Sequence, residues 1–357
     1  KFTSQNFLTL PKGDTTQRIS TSSGISTETG AVRYNTDSNK MECYIGSTWM
    51  EVAVSSPNLD GGVRALFGGG YGDPSGPHPA MNTIDFITVS TVGNATDFGD
   101  LSIARSAKPG AGSRTRGIFQ GGRYAQPGYN TIEFVTFSST GNGTDFGDMI
   151  NLNPSKQGFS SQTRSIFVGG YDQPSPSRVN SMEFITIAQT GNSVDFGDTV
   201  VAARWSYSGS SPTRGVFAGG STPSKINNIE FVTIATTGNS IDFGDLTLGR
   251  SNNSNSMTNS IRMVMPGGLS PSASTVIDFI TTATLGNAIN FGNSSSMSEG
   301  AASNSSPTRG VLYVGAPETG NTLEYINIMT QGDAVDFGDL SAARRVYATA
   351  SNGHGGL

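Results

Sequence analysis

Residues 116–148 read RGIFQGGRYAQPGYNTIEFVTFSSTGNGTDFGD, and variants of this stretch occur six times along the chain. Each copy opens with an arginine: Arg64, Arg116, Arg164, Arg214, Arg262 and Arg309. Successive arginines lie 52, 48, 50, 48 and 47 residues apart. A period of this length indicates an array of one supersecondary unit, so the repeat decides the fold before any single residue is considered.

The spacings inside the repeat separate a fixed part from a variable part. An acidic residue precedes the aromatic residue of the middle strand in every copy: Asp85, Glu133, Glu183, Glu230, Asp278 and Glu324. In all six copies, 12 residues separate this acid from the start of the closing DFGD motif or its variant. The distance from the arginine to the acid instead varies between 15 and 21 residues. Each unit is therefore a fixed scaffold that carries one loop of variable length.

Each unit is expected to contain four β-strands. In the fourth copy these are Trp205–Gly209, Thr213–Phe217, Asn228–Ala235 and a strand around Ile241–Leu246, with Gly238-Asn239 in a tight hairpin turn. Four antiparallel strands repeated six times predict a six-bladed β-propeller. The residues after Asp339 match the interval that holds the first strand of other units, so the C-terminus is expected to complete the blade that begins at Arg64.

The same pattern resembles kelch repeats. The resemblance is carried by an apolar strand that ends in Gly-Gly, an acid followed by an aromatic residue, an aromatic residue in the last strand and an arginine in the preceding interval. In the second copy these are Phe119 with Gly121-Gly122, Glu133-Phe134, Phe146 and Arg105. The kelch tryptophan of the last strand is Phe in every unit here. The resemblance covers residues 63–357 and implies a kelch-like propeller domain over residues 57–357.

Residues 1–56 lie outside the repeat and are expected to form a small β module. The pattern predicts strands over Ala31–Asn35 and from Met41, with a further turn at Gly46–Ser47. The segment resembles the short module near the start of tail-fibre and other virion proteins of bacteriophages, particularly cyanophages. LPKGDTTQR (Leu10–Arg18), GAVRYNTDSNKMECY (Gly30–Tyr44) and GSTWMEV (Gly46–Val52) carry this resemblance. It implies attachment to other virion proteins, a homo-oligomer, and a place on the surface of the particle.

Composition argues against several classes of function. The formal net charge is −5, whereas nucleic-acid and anionic-membrane surfaces call for excess positive charge. No apolar run reaches the roughly 18 residues that a membrane helix needs. The single cysteine, Cys43, excludes an internal disulfide framework. We therefore expect neither nucleic-acid binding nor membrane insertion.

The recurrent charged residues have both a structural and a chemical interpretation. The DFGD motif could contribute oxygen ligands for Ca²⁺, but the fifth copy reads NFGN, so capping of nearby backbone N–H groups by its Asx side chains is favoured. The six arginines and six acids could form an anion site or a sialidase-like centre. A structural pair of each arginine with the acid of its own blade, or with a carboxylate of a neighbouring DFGD motif, is favoured, because an active site would break the symmetry. With His78 and His354 as the only histidines, we expect no enzyme, metal or cofactor.

Recognition is expected on the variable loops between the second and third strands, since loops on rigid scaffolds commonly carry it. The candidate ligand-binding residues are Tyr71, His78, Tyr124, Tyr129, Tyr171, Arg178 and Lys225. Tyrosine offers a flat surface and a hydroxyl at low entropic cost, which suits a polysaccharide. The tyrosines could instead simply cover the bases of the loops.

The sequence therefore predicts a non-enzymatic virion protein, a tail-fibre or spike adhesin that attaches to a host-surface polysaccharide or protein. A decoration or assembly protein that contacts only other virion parts is the first alternative. A cellular kelch-like interaction protein is the second, although it leaves the N-terminal resemblance without an explanation.

Overall fold

The computed structural model describes residues 10–18, 28–38, 40–52, 63–72, 79–123, 128–152, 155–171, 177–252, 255–270, 272–296, 302–314, 320–345 and 348–357, without the side chains of residues 107–109. The chain divides into two compact units, Lys1–Leu59 and Asp60–Leu357. The domain boundary predicted between residues 56 and 57 lies outside the described residues. In the described ranges every element is a β-strand, apart from a 3-10 turn at Thr15–Gln17. No helix there is long and apolar enough to span a membrane.

The first unit is one four-stranded sheet. Its strands are β1 (Lys12–Gly13), β2 (Val32–Asn35), β3 (Lys40–Ile45) and β4 (Thr48–Glu51), with β1 parallel to β2 and the other pairs antiparallel. The two predicted strands and the turn before β4 are confirmed to within about one residue.

The buried face of this sheet is polar, which the sequence did not reveal. Glu42 is fully buried and forms an ion pair with Arg18. It also lies 3.9 Å from Arg33 Nε and accepts a 2.8 Å hydrogen bond from Asn35 Nδ2. Because alternate strand residues face opposite sides, Val32, Ile45 and Met50 lie on the other face. These three residues are between 37% and 53% exposed.

The second unit contains six four-stranded antiparallel sheets, which we number by the order of the repeats. Sheet 1 contains β5 (Arg64–Tyr71), β6 (Ala80–Thr88), β7 (Thr96–Asp100) and the C-terminal β30 (Ala348–Ser351). Sheet 2 contains β8 (Ser106–Gly112), β9 (Arg116–Arg123), β10 (Thr131–Thr136) and β11 (Thr144–Asp148). Sheet 3 contains β12 (Gln157–Ser160), β13 (Arg164–Val168), β14 (Ser181–Thr186) and β15 (Val194–Asp198). Sheet 4 contains β16 (Tyr207–Ser210), β17 (Arg214–Ala218), β18 (Asn228–Thr233) and β19 (Ile241–Asp245).

The last two sheets follow the same plan. Sheet 5 contains β20 (Met257–Thr258), β21 (Arg262–Pro266), β24 (Val276–Thr281) and β25 (Ile289–Asn293), with a small ribbon of β22 (Leu269–Ser270) and β23 (Ser272–Ala273) in its variable loop. Sheet 6 contains β26 (Ser303–Ser305), β27 (Arg309–Tyr313), β28 (Thr322–Asn327) and β29 (Val335–Asp339). The four-strand prediction is confirmed in all six repeats.

The prediction that the C-terminus completes the first sheet is also confirmed. Strand β30 pairs antiparallel with β5, from Ala348 opposite Gly68 to Ser351 opposite Ala65. The two ends of the repeat region are therefore joined by backbone hydrogen bonds within one sheet, and the inner edge of β5 is covered.

Neighbouring sheets are joined through the hairpin turn between the third and fourth strands. In sheet 2 the Gly141 N–H donates to the Phe98 carbonyl oxygen of sheet 1 at 2.8 Å, and Asn142 Oδ1 accepts from the Asp100 N–H at 3.0 Å. The same pair of contacts recurs from sheet to sheet. It also joins sheet 1 to sheet 6, where the Gly93 N–H donates to the Phe337 carbonyl at 2.9 Å.

This close approach explains the glycine of the DFGD motif. Gly99 has φ +145°, a conformation that side-chain-bearing residues rarely adopt. A Cβ at Gly99 would overlap the carbonyl oxygen of Gly141 in the next turn, and a Cβ at Gly338 would overlap that of Gly93. Only glycine lets the sheets approach this closely.

The core lies between adjacent sheets and contains the recurrent phenylalanines of the second and fourth strands. Side chains from sheets 1 and 6, including Phe67, Tyr313 and Phe337, form one buried cluster, and five further clusters lie between the other neighbouring sheets. The first strands also contact each other in sequence, β30 with β8, β8 with β12, β12 with β16, β16 with β20, β20 with β26 and β26 with β30.

Candidate functional site

The predicted pairing of each second-strand arginine with the acid of its own blade is wrong. In sheet 1, Arg64 lies opposite Thr88, whereas Asp85 lies opposite Phe67. Arg64 and Phe67 are an odd number of residues apart, so their side chains point to opposite faces of the sheet. The arginine therefore cannot reach the acid. The register is the same in the other five sheets.

The six arginines tether each sheet to the next. Arg64 Nη1 donates to the Phe137 carbonyl of sheet 2 at 2.6 Å, and its guanidinium lies 5.1 Å from the ring centre of Phe86 in its own sheet. The equivalent acceptors are the carbonyls of Ile187, Ile234, Thr282, Ile328 and, from Arg309 back to sheet 1, Val89. The arginines therefore have a structural role. Their partners are carbonyl groups and aromatic rings, and not the predicted acids.

Each of the six acids accepts a hydrogen bond from the connection, the segment that leads from the preceding sheet into its own sheet. Glu133 Oε1 accepts a 2.9 Å hydrogen bond from the Ser102 N–H, two residues after the preceding fourth strand ends. The corresponding donors to Asp85, Glu183, Glu230, Asp278 and Glu324 are the N–H groups of Ser341, Ile150, Val200, Thr247 and Ser295. Charge-assisted hydrogen bonds of this kind fix the backbone of the connection.

Four of these acids have a buried cation from the same connection. The pairs are Arg344–Asp85, Arg105–Glu133, Lys156–Glu183 and Arg250–Asp278, with N–O distances of 3.2, 2.6, 2.8 and 3.0 Å. Both side chains of each pair are at most 2% exposed. Burial lowers the pKa of Arg105 and Arg344, and the facing carboxylates oppose this shift. These pairs are the buried ion pairs of the repeat.

The expected capping by the DFGD side chains is also corrected. The caps are the turn residues of the following sheet: Asn94, Asn142, Asn192, Asn239, Asn287 and Asp333. Each accepts a hydrogen bond from the N–H of the last DFGD residue of the preceding sheet, so the motif contributes its backbone rather than its Asx side chain.

Sheet 4 departs from this plan at its incoming connection. Arg105, Arg250 and Arg344 each lie five residues after the preceding fourth strand ends, whereas five residues after Asp198 stands Ala203. The arginine follows one residue later, at Arg204. A shift of one residue turns the side chain away from the acid and towards the loops.

At this connection, aromatic and cationic residues of the variable loops of sheets 3 and 4 meet residues of the connection itself. We call Tyr171, Arg178, Arg204, Trp205 and Lys225 the Trp205 cluster, and all five are partly exposed. The Arg204 guanidinium carbon lies 3.8 Å from the ring centre of Trp205 and 4.9 Å from that of Tyr171. Lys225 Nζ lies 5.4 Å from the Trp205 ring centre. Cation–π contacts of this kind hold cationic side chains in place at a surface.

Backbone contacts fix the geometry of the cluster. Arg204 and Ser221 form an antiparallel bridge, and Arg178 Nε donates to the Ser221 carbonyl at 3.0 Å. Lys225 Nζ donates to Ser251 Oγ at 2.6 Å, on the connection that leads to sheet 5. Trp205 has φ +61°, the only positive value among the non-glycine residues that the structure describes. Strain of this type is concentrated at functional sites.

The structure brings together three of the seven candidate ligand-binding residues, Tyr171, Arg178 and Lys225. Tyr71 lies at the boundary of sheets 1 and 2, where its hydroxyl donates to the Arg123 carbonyl at 3.1 Å. Tyr129 lies in sheet 2, with its ring centre 5.9 Å from the buried Arg105 guanidinium carbon. His78 and Tyr124 lie outside the described residues.

Sequence reasoning missed Arg204 and Trp205, because they occur in the connection of nearly constant length and not in the variable loop. The sequence signal that could have identified them is the position of Arg204, which lies one residue later in its connection than Arg105, Arg250 and Arg344 do in theirs.

A second polar region lies between the first strands. Serine side chains bridge neighbouring sheets there, as where Ser210 Oγ donates to the Ser160 carbonyl at 2.7 Å. His354, in the tail after β30, is 2.9 Å from the Gly112 carbonyl through Nε2, while its Nδ1 accepts from the Gly356 N–H at 3.1 Å. The region encloses a cavity of about 30 Å³, room for one or two waters.

Burial favours the neutral form of His354. Desolvation lowers its pKa to about 4, and the hydrogen bond to the Gly112 carbonyl opposes the shift. The unfolded chain binds a proton near pH 6.5, so the stability that this residue contributes is complete above pH 6.5 and is lost as the pH falls towards 4.

We expect the free energy of unfolding to fall by about 2 kcal/mol between pH 7 and pH 5 through His354 alone. Urea unfolding at the two pH values measures this loss. His354→Gln should remove most of the difference, because a neutral amide does not titrate. An equal loss in this variant would assign the pH dependence to other groups.

No group of three or more His, Cys, Asp and Glu side chains suited to a metal ion occurs among the residues that the structure describes. No protein-family model matches the sequence, and no curated protein sequence is significantly similar to it.

Proposed function

We propose that the six repeat sheets are the blades of a kelch-like six-bladed β-propeller. Three observations support this: the pairing of β30 with β5, the succession of contacts between first strands, and the hydrogen bonds from the Gly93 turn to sheet 6. In each case, the contacts between the last repeat and the first are of the same kind as the contacts between consecutive repeats. A closed array leaves no sheet edge open within the ring.

We further propose that the protein is a non-enzymatic adhesin of a bacteriophage particle, a tail fibre or spike on the particle surface. The N-terminal resemblance to phage virion modules motivates the location. The Trp205 cluster supports the binding role, because it presents three cations and two aromatic rings on one group of neighbouring loops. All five of its side chains are partly exposed, and its three cations give this surface a local positive charge. An acidic polysaccharide of the host surface is the ligand that suits such a surface.

The binding experiment compares an acidic and a neutral polysaccharide, alginate and dextran, on the full chain. We expect alginate to bind, and more weakly as salt is added. The double variant Arg204→Ala/Lys225→Ala should weaken binding at least tenfold, about 1.4 kcal/mol. Arg114→Ala, an exposed arginine in the turn between β8 and β9, is the control for charge and should bind as the parent does. Equal binding of dextran and alginate, or no effect of the double variant, would contradict the proposal.

We propose that the first unit joins copies of the chain into a homo-oligomer or attaches it to other virion proteins. The exposed Val32, Ile45 and Met50 on one face of its sheet support this, because apolar residues gathered on one face suit a protein contact. The molar mass of the chain in solution, measured by light scattering, tests self-association. A monomer at every concentration would leave attachment to other virion proteins as the role of this face.

A further inference from the structure

The acid of sheet 4 lacks the cation that four of its five equivalents have. Arg344, Arg105, Lys156 and Arg250 pair with the acids of sheets 1, 2, 3 and 5, but no cation of the described chain forms an ion pair with Glu230. In sheet 6 the equivalent cation position, Ser298, lies outside the described residues. Glu230 is only 2% exposed. A buried carboxylate without a countercharge is unfavourable, so the position has a reason to take up a cation.

A cavity lies where the cation would be. Ala203 replaces the arginine of sheets 1, 2 and 5, and its methyl group leaves space bounded by Thr199, Phe217, Asn228 and Glu230. Arg204 does not fill this space, because its guanidinium lies between Trp205 and Tyr171. The cavity has a volume of about 10 Å³, which is room for roughly one water molecule or one ammonium group.

The walls of this cavity supply hydrogen-bond acceptors. In sheet 5, Arg250 donates to the carbonyl oxygens of Met265 and Val276 and pairs with Asp278. The strand registers make Phe217, Asn228 and Glu230 the equivalent residues of sheet 4. All three line the cavity.

Sheet 4 has one further acceptor that sheet 5 lacks. The side-chain oxygen Oδ1 of Asn228 is buried and has no hydrogen-bond partner in the described structure. The site therefore keeps the acceptors that bind a nitrogen cation in sheet 5, and adds one that is unsatisfied.

Sheet 3 shows an ammonium group at the equivalent position. Lys156 Nζ lies 2.8 Å from Glu183 Oε1 and 3.3 Å from the Ser181 carbonyl oxygen. By register, Glu183 corresponds to Glu230 and Ser181 to Asn228.

The two acids share two hydrogen-bond donors by position, and Glu230 has two more. Glu183 accepts hydrogen bonds from the Ile150 N–H and the Ser193 hydroxyl. Glu230 accepts them from the Val200 N–H at 2.9 Å and the Ser240 hydroxyl at 2.6 Å, and its Oε1 also accepts from the Val201 N–H at 3.2 Å and from Asn228 Nδ2 at 2.7 Å. Sheets 3 and 4 thus share an acid site that is filled by an ammonium group in one and lacks a cation in the other.

We propose that the Glu230 cavity is a binding site for a primary ammonium group. The ammonium group would donate hydrogen bonds to the Glu230 carboxylate, the Phe217 carbonyl oxygen and Asn228 Oδ1. Val201 and Asn228, in the wall of the cavity, are partly exposed, which gives the group a route from solvent. The ammonium group comes either from the free ion or from the amine of a ligand such as a 2-amino sugar. The inference does not depend on the proposed adhesin function.

Thermal unfolding of the full chain tests this site. Ammonium chloride should raise the melting temperature by about 2 °C over tetramethylammonium chloride of equal ionic strength, because only the native state binds the small cation. Ala203→Arg should have a higher melting temperature without ammonium and no response to it. Ala202→Arg adds the same charge at a neighbouring, partly exposed position and should keep the response.

Two further comparisons sharpen the result. Glu230→Gln keeps the shape of the side chain and should lose the response to ammonium. Glucosamine and N-acetylglucosamine distinguish the sources: a response to glucosamine alone identifies an amine-bearing ligand, and a response to ammonium but to neither sugar identifies the free ion. Equal melting temperatures in ammonium and tetramethylammonium, or an undiminished response in Ala203→Arg, would overturn the proposal.

Discussion

Deletion of residues 346–357 is expected to lower the melting temperature of the repeat unit by roughly 10 °C or more. The deletion removes β30 and with it the pairing with β5 from Gly68 to Ala65. It also uncovers Phe67 and Leu66, which are fully buried in the intact chain. The loss combines backbone hydrogen bonds, apolar burial and a newly exposed strand edge. Arg344 is retained, so the buried pair with Asp85 does not confound the result.

A shorter deletion, of residues 353–357, separates the contribution of the tail from that of the strand. It removes the His354 contacts with Gly112 and the 3.0 Å hydrogen bond from the Gly355 N–H to Thr258 Oγ1, but it leaves β30 paired. We expect a smaller decrease in melting temperature than for the longer deletion. A chain lacking residues 346–357 that is as stable as the full chain would mean that joining the last repeat to the first contributes nothing to stability.

The sequence predicted the features that follow from spacing. The six repeats, their four strands and the C-terminal completion of sheet 1 all depend on distances along the chain, which the sequence gives directly. The variable loops also gave Tyr171, Arg178 and Lys225, three of the five members of the Trp205 cluster. Arg204 and Trp205 were missed, although counting from Asp198 shows that Arg204 lies one residue later than Arg105 does after Asp100.

The partners of the charged residues could not be predicted, because they depend on register. The distance from the arginine to the acid varies with the loop, so it does not show which residues face the same side of the sheet. Only the pairing of Arg64 with Thr88 and of Phe67 with Asp85 places the arginine and the acid on opposite faces. The buried polar centre of the first unit was missed for a related reason, since Arg18 and Glu42 are 24 residues apart.

The corrected pairing predicts opposite outcomes for two arginines of the same sheet. Arg105→Ala should lower the free energy of unfolding by about 3–5 kcal/mol, because it leaves the fully buried Glu133 carboxylate without its cation. Arg116→Ala should cost only about 1 kcal/mol, since it removes a partly exposed cation–π contact with Phe134 and one hydrogen bond to the Ile187 carbonyl. Chemical denaturation of both variants measures the difference.

The double variant Arg105→Met/Glu133→Leu tests the cause of this loss. If Arg105→Ala lowers the free energy of unfolding because it leaves the Glu133 carboxylate buried and unpaired, replacing both partners by apolar residues should recover much of the stability. Glu133 also accepts the Ser102 N–H, so recovery should remain incomplete by about the value of that hydrogen bond, roughly 1–2 kcal/mol. An equal decrease in the free energy of unfolding for Arg105→Ala and Arg116→Ala would contradict this. It would show that the Arg105–Glu133 pair stabilises the fold no more than the partly exposed contacts of Arg116 do.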